Sequence, residues 1–205
     1  MEVKMKAGGI NYTATLQENS INVALKAKIG NVDYKINIAF KGPVDEKKLK
    51  EFLNSSSTKE KIEDLVKQHK ILEQAYFHRD VKVKLRSNGE STEAKIVYYK
   101  KNKDKEKIVR KLTLNEEEID AELIVLEQRK ENVKLKYEAT KEGLNALPPV
   151  EPNSEEEIRR KKILSRASIK LERRNVQLRK INELKKYINT QPANDFLVNM
   201  NFQRV

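Results

Sequence analysis

Three groups of residues in this 205-residue chain have types and spacings that chemistry could use. The first is His78-Arg79-Asp80 with Lys82 close behind, where a carboxylate flanked by cations could accept a proton from a hydroxyl. The second is His69 with Glu73 four residues on, two metal-ligand types one helical turn apart. The third is a run of cations between Ile158 and Ile188. It comprises Arg159, Arg160, Lys161, Lys162, Arg166, Lys170, Arg173, Arg174, Arg179, Lys180, Lys185 and Lys186, opposed only by Glu172 and Glu183. That net of ten, or seven once the acidic opening Glu155 to Glu157 is included, holds most of the chain's charge of +12, and its chemistry is attraction for phosphate.

The first two groups lack the partners that catalysis or metal binding needs. From Tyr76 to Lys82 the string resembles the catalytic loop of protein kinases, where the Asp accepts the substrate hydroxyl proton. The resemblance ends there: Leu85 stands five residues after Asp80, where a kinase places its metal-binding Asn. No Gly-rich phosphate loop precedes the string and no Asp-Phe-Gly follows it. His69 and Glu73 have no third ligand in view, so His69 is expected to be a packing residue on an apolar helix face. Phosphate-loop, dinucleotide and serine-hydrolase motifs are absent, and Glu116 to Glu118 read as a solvated helix start. The expectation is a non-enzymatic protein with no catalytic residue, cofactor or metal.

Composition narrows the class further. Hydrophobic residues make up 38% and charged residues 36%. Typical domains have about 45 to 50% and about 25%, so extended helices or partner surfaces are expected beside a modest core. With no Cys, disulfide frameworks and thiolate metal sites are excluded. No segment reaches 18 apolar residues, the start carries no apolar leader, and Glu2 stands where myristoylation needs Gly, so no membrane partner is expected. Heavy use of Lys, Asn and Ile resembles that of AT-rich genomes, many phages among them.

The elements that must position the cations read as follows. Residues 1–40 form an antiparallel meander, with Ile21, Val23, Leu25, Ala27 and Ile29 alternating before Gly30-Asn31 and Val32, Tyr34, Ile36, Ile38 and Phe40 after it. Its polar faces are rich in Lys and Asn, so only one side can be buried. Helices over Asp45 to Leu53 and Thr58 to Tyr76 follow, the second capped at Ser57 or Thr58 and covering the sheet with Ile62, Leu65, Val66, His69 and Leu72. A hairpin turns at Ser87-Asn88-Gly89-Glu90, and Ile108 to Leu114 adds a third strand.

From Glu116, Ile119, Leu123, Leu126, Val133, Tyr137, Leu144 and Leu147 recur at spacings of three and four, or their sums, with Lys130 and Thr140 interrupting the stripe. Val133, Leu135, Tyr137 and Ala139 also alternate as a strand would, but the charged stretch without Gly or Pro before Gly143 favours helix. After Pro148-Pro149 the basic helix begins at a cap on Asn153 or Ser154, with Leu164, Leu171, Leu178, Ile181 and Ile188 as its packing stripe. An antiparallel return would bring Arg179, Lys180, Lys185 and Lys186 to Glu116, Glu117, Glu118, Asp120 and Glu122.

The resulting expectation is an α+β chain: an α+β domain over 1–114, a helical hairpin over 115–190, and an extended apolar tail over 191–205. The tail, with Phe196, Val198, Met200 and Phe202, reads as a strand that could close the N-terminal sheet or, in the preferred reading, dock on a neighbouring subunit. Arg159, Arg160, Lys161, Lys162, Arg166, Arg173 and Arg174 are the expected phosphate contacts. Functionally the chain reads as a structural or assembly subunit, virion or cytoplasmic, such as a phage ring or connector component near nucleic acid. Its partners would be other protein subunits, in a homo-oligomer or hetero-assembly, with nucleic-acid backbone in reach. The alternative is a nucleic-acid-binding protein that acts through the basic helix without sequence choice.

Overall fold

Tight turns set the first half of the sheet. The computed structural model describes residues 1–76, 81–88, 91–99, 107–188 and 197–205. Strand β1 (Glu2–Ala7) reverses into β2 (Ile10–Thr15) through Gly8 and Gly9, whose φ angles of 56° and 81° suit a two-residue turn that only glycine takes without strain. Strand β3 (Asn22–Ile29) reverses into β4 (Val32–Phe40) at Gly30, φ 63°, so that Ile29 pairs with Val32. Strand β5 (Lys82–Ser87) pairs with β6 (Thr92–Tyr99), and β6 with β7 (Lys107–Thr113). Among the described side chains, strands β1 to β5 bury alternate residues on one side, while β6 buries both Ile96 and the adjacent Val97.

The last strand joins these two blocks. Strand β8 (Leu197–Arg204) lies between β4 and β5 and is antiparallel to both, giving one eight-stranded sheet in the order β1-β2-β3-β4-β8-β5-β6-β7. This corrects the expectation that the tail docks on a neighbour. Met200 and Phe202 are buried in the chain's own core, and Phe202 stacks on Tyr34 with ring centroids 4.7 Å apart. Val198 belongs to the same strand, while Phe196 lies outside the described residues. The physical reason is that β4 and β5 would otherwise each present an unpaired edge beside a buried apolar face, and β8 satisfies both ladders at once.

Two helices cover the buried side. Helix α1 (Glu46–Asn54) is capped by Asp45, which accepts from Lys48 N at 2.8 Å. Helix α2 (Ser56–Ala75) starts earlier than its sequence suggests: Ser55 is the cap, accepting from Thr58 N. Its inward face includes Ile62, Leu65, Val66, His69 and Leu72. His69 is wholly buried, edge-on to Tyr34 and Phe202, and its Nε2 donates to Val83 O at 3.1 Å. Leu85, where the kinase-like string would need its Asn, is a core residue of β5, and residues 77–80 of that string lie outside the described residues.

Helices α3 (Glu116–Asn145) and α4 (Glu155–Leu184) form the long hairpin, and a short 3₁₀ turn (Lys185–Tyr187) ends α4. Asn115 caps α3. At α4 the cap Ser154 Oγ accepts from Glu157 N at 3.2 Å, while Glu157 Oε2 accepts from the N–H of the preceding Asn153 at 2.6 Å. The stretch around Val133 is helix, not strand. Each helix has 30 residues, hence about 45 Å at about 1.5 Å per residue. Only the base is buried, by Ile119 and Leu126 of α3 and Gln177, Ile181 and Leu184 of α4. There Lys185 pairs with Asp120 at 2.5 Å, one pair of the complementarity expected of an antiparallel return, while Lys180 pairs with Glu183 of its own helix; Gln68 Nε2 donates to Tyr187 O at 3.2 Å, tying the hairpin to α2.

Two outcomes follow for stability. Phe202→Ala should cost about 3 to 5 kcal/mol, because it empties a site shared by both halves of the sheet, and urea denaturation of the purified variant checks it. The His69 imidazole is held below its ordinary pKa by burial, against the opposing influence of Glu73 and the Val83 hydrogen bond, with Arg204 adding to the lowering. A depressed basic group binds fewer protons folded than unfolded. Its stability contribution is therefore complete above about pH 6.5 and is lost as pH falls through the lowered value. His69→Gln should flatten the dependence of the urea midpoint between pH 7.5 and 5; an unchanged slope would assign the acid sensitivity elsewhere.

Candidate functional site

The expected phosphate contacts on α4 separate into two sets. Arg160 is tied to the interhelical linker, its Nε donating to Glu156 Oε1 at 3.0 Å and its Nη1 to Pro148 O at 2.8 Å. Lys161 pairs with Glu157 at 2.8 Å. Arg174 is half-buried and donates to Gln177 Oε1 at 2.8 Å. Arg159, Lys162, Arg166 and Arg173 are exposed and make no ion pair among the described residues. Their spacings of three, four and seven put these four on one stripe of the helix, on which Arg166 and Arg173 border grooves shared with α3. Of the packing residues, Leu164, Leu171, Leu178 and Ile188 are half-buried and Ile181 is buried.

A larger basic surface lies on the sheet. Helices α1 and α2 cover one side, and the outward side chains of the opposite side are exposed on nearly every strand. The strand registers bring one cross-strand row together: Lys4 opposite Thr13, then Lys26, Lys35, Gln203, Lys84, Lys95 and Lys111. Six of its eight positions are lysine. At about 4.8 Å per strand the row runs about 34 Å. Lys6, Lys28, Lys82 and Arg86 flank it, and among the described side chains of this face the acids are Glu2, Asp33 and Glu93. Sequence reasoning saw lysines on the polar faces of single strands; only the register aligns them.

This arrangement has a cost. Lys26 faces Lys35, Lys84 faces Lys95, and Lys95 faces Lys111, and like charges directly opposite one another weaken a sheet. Glu93 offsets little of it, lying 4.0 Å from Lys111 with both side chains largely exposed. Over β8, β5 and β6 the face dips into a concavity of about 300 Å³ rimmed by Lys84, Arg86, Lys95 and Lys111. No described aromatic side chain lies on the face, and its described side chains offer charge and hydrogen bonds.

Among the described residues no group of three or more His, Asp or Glu is placed to hold a metal ion, and no helix is long and apolar enough to cross a membrane. Comparison with protein-family models, with curated proteins and with solved structures finds no match.

Lys95 stands between two lysines, so Lys95→Gln should raise stability by about 0.2 to 1 kcal/mol at low ionic strength, with the gain shrinking in 1 M salt. Paired urea titrations at the two salt concentrations check this. A loss of stability would mean that the row is not under repulsion.

Proposed function

We propose that this chain is a non-enzymatic protein that holds the nucleic-acid backbone on its open sheet face, without sequence choice. The supporting observation is the lysine row, in which register sets like charges against one another across a face about 34 Å wide. A polyanion laid along it would relieve that repulsion and release counterions. The absence of described aromatics from the face favours phosphate contact over base readout. The exposed stripe of Arg159, Lys162, Arg166 and Arg173 on α4 is a second, smaller basic surface.

A second reading, a structural subunit of a larger assembly such as a virion ring or connector, draws on a different observation. The hairpin exposes Ile124, Leu135, Ile158, Ile163 and Ile169, apolar side chains along helices that project from the core. Its tail-docking argument has gone, since β8 is internal to the sheet.

Fluorescence anisotropy with a labelled duplex, titrated across salt, tests the first reading. The triple variant Lys26→Gln, Lys35→Gln, Lys84→Gln should lower affinity at least tenfold and reduce the log–log salt slope by about 2 to 3. Replacing Arg159, Lys162, Arg166 and Arg173 by Gln should have the smaller effect. The reverse order would move the interface to α4, and salt-independent or undetectable binding by the wild type would overturn the proposal. Light scattering of nuclease-treated protein addresses the second reading, for which a discrete oligomer is expected.

A further inference from the structure

We propose that the cleft at the base of the helical hairpin is a binding site for an oligophosphate group, separate from the lysine face. The cleft, about 700 Å³, lies where α3 and α4 pass the β6–β7 end of the sheet, within the range of small-ligand sites. Its cations come from three elements: Arg110 from β7, Arg129 from α3, and Lys170, Arg173 and Arg174 from α4. Tyr76 and Tyr98 form part of the wall, and no carboxylate lines it among the described residues.

Among the described residues these guanidinium groups use few of their donors. Each carries five N–H donors in a planar fork. Arg110 hydrogen-bonds Tyr98, and Arg174 Nη1 donates to Gln177 Oε1 at 2.8 Å. Glu122, the nearby acid, accepts from the Tyr76 hydroxyl at 2.8 Å and forms no ion pair with the cluster among the described residues. Burial, and then the neighbouring charges of Arg129 and Arg110, press on the Arg174 guanidinium and lower its pKa, with Tyr98 acting the other way. Glu122 and Tyr98 favour the charged form of Arg110, but Arg174 has no such compensation beyond Tyr98, and a phosphate group would supply both the charge and acceptors matched to its fork.

Phosphate rather than carboxylate follows from number. Arginines converging from three elements offer donors in several directions, which a tetrahedral, multiply charged group can accept and a planar monoanion cannot. Two sources share this chemistry, a free phosphorylated molecule and the phosphorylated end of a nucleic-acid strand. The inference does not depend on the open face, which lies on the other side of the sheet.

Isothermal titration calorimetry of the full chain with inorganic tripolyphosphate tests it. One saturable site is expected, with Arg129→Gln and Arg174→Gln each weakening binding at least tenfold and Lys26→Gln changing it less than twofold. Arg173→Gln, at an exposed position where folding is not at risk, should weaken it at least threefold. The wild-type Tm should rise with tripolyphosphate concentration as linkage requires. Unsaturable binding, an unchanged Tm, or an equal loss in Lys26→Gln would overturn the proposal. Duplexes with 5′-phosphate and 5′-hydroxyl ends distinguish the sources: a preference for the phosphorylated end that Arg174→Gln abolishes assigns a strand terminus, and tripolyphosphate binding without that preference assigns a free molecule.

Discussion

The double ladder made by β8 is the interaction on which the rest of this structure depends. Without it the chain would hold a four-stranded meander, β1 to β4, and a three-stranded block, β5 to β7, each with an open edge against the other. Every hydrogen bond that joins these blocks in the sheet passes through residues 197 to 204, near the end of the chain. The side chains agree with the backbone. Phe202 reaches Tyr34 of β4 and His69 of α2, and Met200 pairs in register with Ile38 on one side and Ser87 on the other. A ladder closed across this sequence separation carries a large loop-closure entropy, which the buried aromatic cluster must offset.

The same closure makes the basic face continuous. In the lysine row the uncharged Gln203 of β8 lies between Lys35 and Lys84, joining the lysines of the two blocks without adding another like charge between them. The side toward α1 and α2 is apolar and its burial supplies the stability; the other side is left in water and free of that task. A surface free of packing demands tolerates a composition that weakens it. Three directly opposed lysine pairs are hard to explain as stabilising features and easy to explain as a preformed field for a polyanion.

Local chemistry was legible in the sequence, and long-range pairing was not. The Gly30 turn, the Asn115 and Ser154 caps and the stripe of the hairpin all depend on residues within a few positions of one another, so spacing alone reveals them. The partner of β8 depends on edges created more than 100 residues earlier, and an alternating run of Met200 and Phe202 looks the same whether it pairs within the chain or with a neighbour. The candidate sites divide the same way. The basic run on α4 was visible as composition, but that Arg160 and Lys161 serve the helix start and that Arg174 turns inward follows from three-dimensional neighbours. The lysine row needed seven strand registers, and the arginine cleft needed three elements brought together from residues 110, 129 and 174.

The two basic sites also differ in physical kind, which sets how each must behave. The lysines of the row are exposed, compact and strongly hydrated, so their attraction for an anion is long-ranged, additive across many contacts and screened within about 10 Å at ordinary salt. Such a surface suits a long polymer and would discriminate little. Of the cleft's arginines, Arg110, Arg129 and Arg174 are half-buried at the junction of hairpin and sheet, with Arg110 hydrogen-bonded to Tyr98 and Arg174 to Gln177. Their contribution is short-ranged, directional and less sensitive to salt, which suits one compact group bound in one orientation. The hairpin thereby has a structural role at its base that its exposed length does not share: with α4 packed on α2 and Lys185 on Asp120, it fixes where Arg129 and Arg174 stand relative to Arg110. A shift of the hairpin against the sheet would dissolve the cleft and leave the lysine row untouched.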